Sequence, residues 1–576
     1  MKKIFLFSFV LSTFILKAQL TPFYSKTRTY DSIIACYKQF DKKSPMALLK
    51  EAGTTDIGKP LHLFILSKDQ TFDAVKAKQK GKAILLINNG IHPGEPDGID
   101  ASIEMVNYYL TNPDSLPANI VILIIPVYNV DGCLNRNNTS RANQNGPEEY
   151  GFRGNAKNLD LNRDFIKCDA ENTKSLEKIF AEWNPDVFVD THVSDGADYQ
   201  YTMTLISTSS KLQHTLGTYM KEDMTPSLYK MMSSINDEMC PYVDEIGNFP
   251  DDKGISAFLE TPRFSTGYAG LRNCIGYVTE THMLKNYNQR VWSTYHLLQF
   301  FIIKTSADAK KIIKLHKSAD DWVAKQSLFD FNLVLDTSLW TEIDFKGYEA
   351  KYRKSDLSAQ SVMYYDETSP FKRKIRYYSD FIPSTVVTVP SCYIIPQVWS
   401  EVIARLKING VKMSELKKDT MLYVSCYYIT DYHTGNSPYE SHYVHSGVAV
   451  KTDHQDIQYY QGDYVVKMDQ ALNAYIATVL EPQSNDSYFC WNFFDGILQQ
   501  KEWFSDYVFE TKADSLLKVD ASLKSGFDLK MKTDTAFAND HWQQLSYIYR
   551  NSAYLEKTFD RYPVTRLDTP VKLPLE

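Results

Sequence analysis

Ala83-Ile84-Leu85-Leu86-Ile87-Asn88-Asn89-Gly90-Ile91-His92-Pro93-Gly94-Glu95-Pro96-Asp97-Gly98 is an apolar run that breaks into a segment rich in glycine and proline. A short continuous apolar run bounded by turn residues reads as a strand buried on both faces. The prolines exclude a regular helix through His92 and Glu95, so this pair lies in a turn at a strand mouth, where two side chains can be aimed at one point. An imidazole nitrogen and a carboxylate oxygen both suit Zn²⁺, and a catalytic zinc takes about three protein ligands and keeps one position for water. A third ligand is needed.

A candidate stands at the end of a second such run. Val187-Phe188-Val189-Asp190 leads directly into Thr191-His192, and open α/β sheets bind ligands beyond the carboxyl ends of their strands. Further strands are read at Leu61 to Leu66, which alternates loosely, and at Ile120 to Val127, which is almost continuously apolar. Between them Ile99, Ile103, Met105, Val106 and Leu110 recur at the spacing of a helix packed on a sheet. This alternation predicts an α/β fold with a mixed, mostly parallel sheet flanked by helices. Apolar residues from Ile33 to Leu49 predict one or two helices upstream. Downstream, Tyr277-Val278-Thr279 predicts a short strand ending at Glu280, and residues 287–303 a closing helix.

A chain of 576 residues exceeds what one core supports and predicts roughly two to four domains. Past Lys304 the texture changes to short β-type runs such as Thr385-Val386-Val387-Thr388-Val389, so residues 20–305 are read as one domain and 306–576 as a β-rich accessory region with some helix. Residues 491–504 and 541–554 read as helical or mixed. The net charge of −7 gives no basic stripe and no reason to expect nucleic acid as a partner. Met1-Lys2-Lys3, the apolar residues 4–16 and the small Ala18 have the three parts of a secretory leader over residues 1–19, too short for a membrane span. The mature protein is therefore expected to be exported, periplasmic or extracellular, with no membrane span. Eight scattered cysteines without a CxxC pair read as mostly buried thiols, with one or two bridges allowed.

Between the two histidines stand Asn129-Val130-Asp131-Gly132, Phe152-Arg153-Gly154-Asn155 and Asp160-Leu161-Asn162-Arg163. With HxxE at His92 and Glu95, the lone His192 after a strand, and the late Glu280, this chain resembles the zinc carboxypeptidase (M14 metallopeptidase) family over roughly residues 20 to 305. The resemblance implies one zinc ion held by His92, Glu95 and His192. It implies Glu280 as the catalytic acid and base, Arg153 as the group stabilising the oxyanion, and Asn162 with Arg163 as the pair that holds a substrate's terminal carboxylate. Their chemistry agrees, since two neutral imidazoles and one carboxylate leave a net positive metal, and a planar guanidinium suits a carboxylate.

Two features depart from the family's pattern. The tyrosine that closes over the substrate has two candidates, Tyr268 and Tyr277, and the segment Pro262 to Tyr268 does not reveal a preference for basic or apolar terminal residues. Glu260 also follows an apolar run and rivals Glu280. Asp164 reads as an ion-pair partner of the adjacent Arg163, and His282 as a support for the site or a structural residue. Glu440-Ser441-His442-Tyr443-Val444-His445 is a second group of metal-ligating residue types, but histidines three apart face opposite sides of a regular strand, which favours a surface or turn placement.

The expected activity is that of a zinc metallocarboxypeptidase acting on a peptide or peptide-like substrate with a free carboxylate. A deacylase of the aspartoacylase and desuccinylase type is similar in the same motifs, but the long polar stretch from Cys133 to Asn158 and the wide spacing of His192 and Glu280 favour the peptidase. A non-catalytic binding protein on the same fold is disfavoured by the complete ligand set.

Overall fold

The computed structural model describes residues 27–245 and 253–576, and the expected leader at residues 1–19 lies outside them. The strands of the first half are β1 (Ala47–Thr54), β2 (Pro60–Leu66), β3 (Ala83–Asn89), β4 (Ile120–Ile125), β5 (Val187–Ser194), β6 (Met203–Ile206), β7 (Met239–Pro241), β8 (Ile255–Ser256) and β9 (Ile275–His282). All but β8 form one sheet in the order β1-β2-β4-β3-β5-β9-β6-β7. The pairs β3–β4, β3–β5, β5–β9 and β6–β7 are parallel, and β1–β2, β2–β4 and β6–β9 antiparallel. The sheet is thus mixed and mostly parallel, as the apolar runs predict.

Every residue of β3, β4, β5 and β9 is buried, because both faces are covered. Ile84 and Leu86 point into a core shared with the helix Glu171–Trp183. Their neighbours Leu85 and Ile87 point into a second core under the helices Tyr30–Lys43, Asp97–Thr111 and Tyr287–Ala307. Two-sided burial is what makes these strands continuous apolar runs rather than alternating ones. One upstream expectation fails: Met46 to Leu49 do not extend the helix Tyr30–Lys43, and Ala47 to Leu49 begin β1. The edge strand β1 is half-buried, so its apolar residues at mixed spacing mimic a helical period.

Residues past 305 open with the helix Ala309–Val323 and become β-rich. Four long strands, Leu328–Leu335, Thr341–Lys354, Ser361–Tyr378 and Phe381–Thr388, precede a six-stranded sheet that includes Cys392–Ile395, Thr420–Thr434 and His445–Tyr459. Helices from Asp506–Val519 to His541–Arg550 follow. Residues 491–504 hold one short 3₁₀ turn, Asp495–Leu498, as their only helical element. Trp491 and Phe494 are there fully buried core side chains.

One hydrophobic core runs through both halves, uniting Leu176, Phe180 and Tyr268 with Tyr393, Tyr475 and Trp491. β8 pairs in parallel with Ser361–Tyr378. Polar ties reinforce the seam: Arg405 Nε donates to the Lys167 carbonyl at 2.6 Å, and Arg405 Nη2 lies 3.0 Å from Asp169. All eight cysteines are free thiols, and all but Cys36 are buried.

Glu177 makes this seam sensitive to pH. It is fully buried, with Oε2 accepting from Asn409 Nδ2 at 2.7 Å and Oε1 without a partner. Burial pushes its carboxyl up from 4.5 to about 8. Between those values the folded chain keeps a proton that the unfolded chain has released, so this group's contribution to stability is full below the lower value and declines as pH rises to the upper one. Glu177→Gln stays neutral and keeps an acceptor for Asn409. It is expected to flatten the fall in Tm between about pH 5 and pH 8, and a melting series with the wild-type slope contradicts this.

Candidate metal centre and catalytic site

Three adjacent parallel strands set the site. β3, β5 and β9 end on the same edge of the sheet, and in their register His192 stands directly beside Glu280. His92 and Glu95 lie in the turn after β3, before the helix Asp97–Thr111 begins. Two glycines make the turn possible. Gly90 adopts φ +66° as the strand ends, a conformation costly for a side chain. At Gly98 a Cβ would meet Thr191 Oγ1 at 1.9 Å, so its absence lets the helix start settle onto β5.

His92, Glu95 and His192 come together with one donor atom each, all within 4.8 Å of one another, and all three are buried. His92 Nδ1 is 3.2 Å from Glu95 Oε1, and His192 Nδ1 is 3.1 Å from Glu95 Oε2. His92 Nε2 is held from behind by a hydrogen bond with Asp160 Oδ1 at 2.9 Å, and His192 Nε2 lies 3.1 Å from Asp190 Oδ2 as an ion-pair contact without hydrogen-bond geometry. A carboxylate behind an imidazole fixes its tautomer and strengthens its other nitrogen as a ligand. His92 Nδ1 is buried without a hydrogen bond, as suits an atom whose partner is a metal. This donor set, two imidazoles and one carboxylate, fits Zn²⁺.

The charges agree with that fit. Burial opposes ionisation of Glu95, yet His92, Arg141 and His192 hold its carboxyl well below the usual range. Burial likewise opposes the charged form of His192, and Asp190, Glu95 and Glu280 raise its pKa well above the ordinary value. Burial drives the Glu280 carboxyl well above its ordinary value, aided by Glu95 and Glu260 and opposed by His192. Glu280 Oε2 is buried and unpartnered. A buried carboxyl with a perturbed pKa and an unpartnered oxygen is the kind of group that can exchange a proton with a neighbour.

Arg153 and the Asp160 turn meet the cluster from the loop side. Arg153 is half-exposed, with Nε and Nη2 each 2.9 Å from Asp160 Oδ2 and Nη1 3.5 Å from Glu95 Oε1. Asn129 ties this loop to the ligand turn, because its Nδ2 donates to the carbonyls of both Ile91 and Arg153. Asn162 Oδ1 accepts from Ser265 N at 3.0 Å, which leaves its Nδ2 as the free donor. Arg163 packs its guanidinium 4.1 Å over Phe264 and donates Nη1 to the Asn162 carbonyl at 2.8 Å.

Other expectations are corrected. Tyr268 is fully buried between Phe165 and Phe180, with its hydroxyl on Asn409 Oδ1 at 2.7 Å, so it cannot close over a substrate. Tyr277 is buried too, bonded to Thr225. It sits on β9 an odd number of residues from Glu280 and therefore faces the opposite side of the sheet. Tyr242, just after β7, is the half-buried tyrosine whose phenol is pushed up by burial and by Glu280. No spacing rule in the sequence pointed to it, because its proximity comes from the sheet order. Arg141, from the polar stretch after Cys133, was likewise missed, and its Nη1 is 2.8 Å from Glu95 Oε1.

Glu260 is buried and accepts from Thr266 N and Oγ1, so it holds the start of the helix Ser265–Gly270. Asp164 pairs with the buried Lys167 at 2.5 Å rather than with Arg163. His282 is structural, with Nε2 3.0 Å from the Ala197 carbonyl and Nδ1 accepting from Leu284 N. The histidines of the second group separate: His442 contacts Asp169, whereas His445 is buried against Thr434 and Asp495, against the surface placement expected for it.

A family model described as zinc carboxypeptidase matches residues 33–242, which includes the three clustered ligands and stops short of Glu280. Carboxypeptidase 2 of Trichophyton equinum is 21% identical over 436 residues, covering 72% of this chain and 74% of its own. Carboxypeptidase 2 of Trichophyton rubrum shows the same identity and coverage. Among solved structures, a metallo-carboxypeptidase from Burkholderia cenocepacia is 14% identical with a TM-score of 0.37, covering 49% of this chain and 70% of its own. Carboxypeptidase A from Helicoverpa armigera is 16% identical with a TM-score of 0.35, covering 50% and 75%.

Proposed function

Since this chain belongs, through residues 33–242, to the zinc carboxypeptidase family, we propose that it hydrolyses a peptide bond next to a free C-terminal carboxylate. The observation that carries this reading is Glu280, a buried carboxyl with an unpartnered oxygen, one strand over from His192 and beside the His92–Glu95–His192 cluster. Zinc bound by those three residues supplies Lewis acidity to a water and to the scissile carbonyl.

The chain's own groups do the rest. Glu280 takes a proton from the water as its oxygen bonds to the carbonyl carbon, then passes that proton to the amine nitrogen as the C–N bond breaks. Arg153, held by Asp160 with its Nη1 still near Glu95, stabilises the negative charge that develops on the carbonyl oxygen. Asn162 Nδ2 and the guanidinium of Arg163 bind the terminal carboxylate, and the stacking on Phe264 fixes the plane in which they do so. Tyr242, in place of Tyr268, is the tyrosine available to the substrate from the Glu280 side. The leader-like composition of residues 1–19 supports an exported enzyme. Among the described residues no helix is long and apolar enough to cross a membrane.

Mass spectrometry of a peptide library tests the reading. Loss of single C-terminal residues is expected from peptides with free carboxyl ends, with about 100-fold less from amidated ones, because the Asn162–Arg163 pair then faces no charged acceptor. A chelator is expected to stop both. Preferential cleavage of N-acyl amino acids instead would identify a deacylase.

A further inference from the structure

We propose that Glu440, from the region beyond residue 305, is a positioning residue of the metal centre, acting by clamping the backbone N–H of Asp160. The inference rests on the zinc peptidase reading above. Glu440 Oε2 accepts from Asp160 N at 2.8 Å, across 280 residues of sequence.

Asp160 is the hub of the site. Its Oδ1 holds His92 Nε2 at 2.9 Å and accepts from Asn162 N at 2.8 Å, while its Oδ2 holds Arg153. One carboxylate therefore orients a metal ligand and the oxyanion arginine, and it also orders the turn that presents the carboxylate-binding pair. The rotation of that carboxylate depends on the backbone that carries it. The side-chain bonds of Asp160 are all directed into the site, and Glu440 alone grips its N–H.

The loop that delivers Glu440 is built for a fixed reach. Tyr439 and His442 exchange both backbone hydrogen bonds, at 2.8 and 3.0 Å. The two residues between them have φ of +50° and +70°, the signs of a type I′ turn, which ordinarily takes Asn-Gly. Glu and Ser here hold a strained backbone, and strained positions persist where the surroundings over-determine them. Both flanks are anchored. The Tyr439 ring is stacked at 24° to Trp491, whose other contacts include the guanidinium of Arg263 at 4.8 Å. His442 Nε2 is 2.9 Å from Asp169 Oδ2, in the catalytic half. Arg263 is in turn locked to Asp486 at 2.6 Å. The tip is thus a rigid strut set against the Asp160 turn.

Glu440 Oε1 makes no hydrogen bond among the described residues, so one acceptor oxygen suffices for this role. That predicts a diagnostic order among variants of the full-length protein. Glu440→Gln keeps an oxygen at the same reach and is expected to match the wild type. Glu440→Ala has no acceptor and Glu440→Asp is one methylene short. Both are expected to release zinc to a chelator about tenfold faster and to lose about tenfold in kcat, with KM within about twofold, the scale of losing a group that supports a metal ligand. Wild-type zinc release in both Ala and Asp variants overturns the proposal. So does a Gln variant as impaired as the Ala variant, which would make the charge rather than the N–H clamp responsible. If the Ala variant does not fold, the contrast between Gln and Asp decides alone. Absence of peptide cleavage by the wild type would refute the peptidase reading, while the zinc-release series would still decide the role of Glu440.

Discussion

Glu280→Gln is expected to bind zinc like the wild type and to hydrolyse peptides about a thousandfold more slowly, within the range that general acid and base catalysis contributes. The substitution keeps size and hydrogen-bonding shape but removes the basic oxygen. Glu280 touches no ligand of the cluster by hydrogen bond or ion pair in this structure, and its Oε2 is unpartnered, so its loss leaves the donors His92, Glu95 and His192 intact. The retained metal is the control that separates lost chemistry from a damaged site. Zinc content by elemental analysis and kcat on the best library peptide measure the two together. Near-wild-type turnover in this variant would reject Glu280 as the base and turn attention to the site's other carboxyl groups. Glu260 is a poor replacement, since its Oε2 is already engaged by Thr266.

His192→Ala is expected to abolish stoichiometric zinc binding and, with it, all measurable hydrolysis. Two ligands remain, and one of them, Glu95, already has Arg141 and Arg153 within 2.8 and 3.5 Å. Those guanidiniums can neutralise the carboxylate once an imidazole is gone, which weakens the competition for a dication further. The readout independent of activity is the zinc-induced rise in Tm. A ligand at 100 times its Kd stabilises a fold by about 2.7 kcal/mol, and this increment is expected in the wild type and absent in His192→Ala. One zinc per chain retained by the variant would move the metal site elsewhere. His92→Ala is the harsher choice of ligand to remove, because it also frees the Asp160 carboxylate that Arg153 and Asn162 share.

The parts of this site that were legible from the chain are those whose chemistry is local. His92 and Glu95 are three residues apart in one turn, and Asp160 to Arg163 form another, so spacing alone brings them near each other. His192 was legible because a polar ligand type ending an apolar strand is conspicuous. Tyr268 misled for the complementary reason. It stands near the site's strands in sequence, but the helix Ser265–Gly270 turns it into the core, where Asn409 from the far half takes its hydroxyl. Met46 to Leu49 misled because an edge strand shares its apolar spacing with a helix end. Tyr242 and Arg141 were silent because neither lies in a motif, and each reaches the site over a fold-dependent path.

Local chemistry along the chain marked the central buried strands, the ligand turn and the candidate metal donors, since strands covered on both faces must be apolar and imidazole and carboxylate groups suit zinc wherever they sit. Only the tertiary structure decided what surrounds them. The strand order put His192 beside Glu280, burial raised that carboxyl, and the shared core brought a hairpin from residue 440 against Asp160. Such contacts depend on how faces pack, and packing joins residues whose separation along the chain carries no record of their meeting.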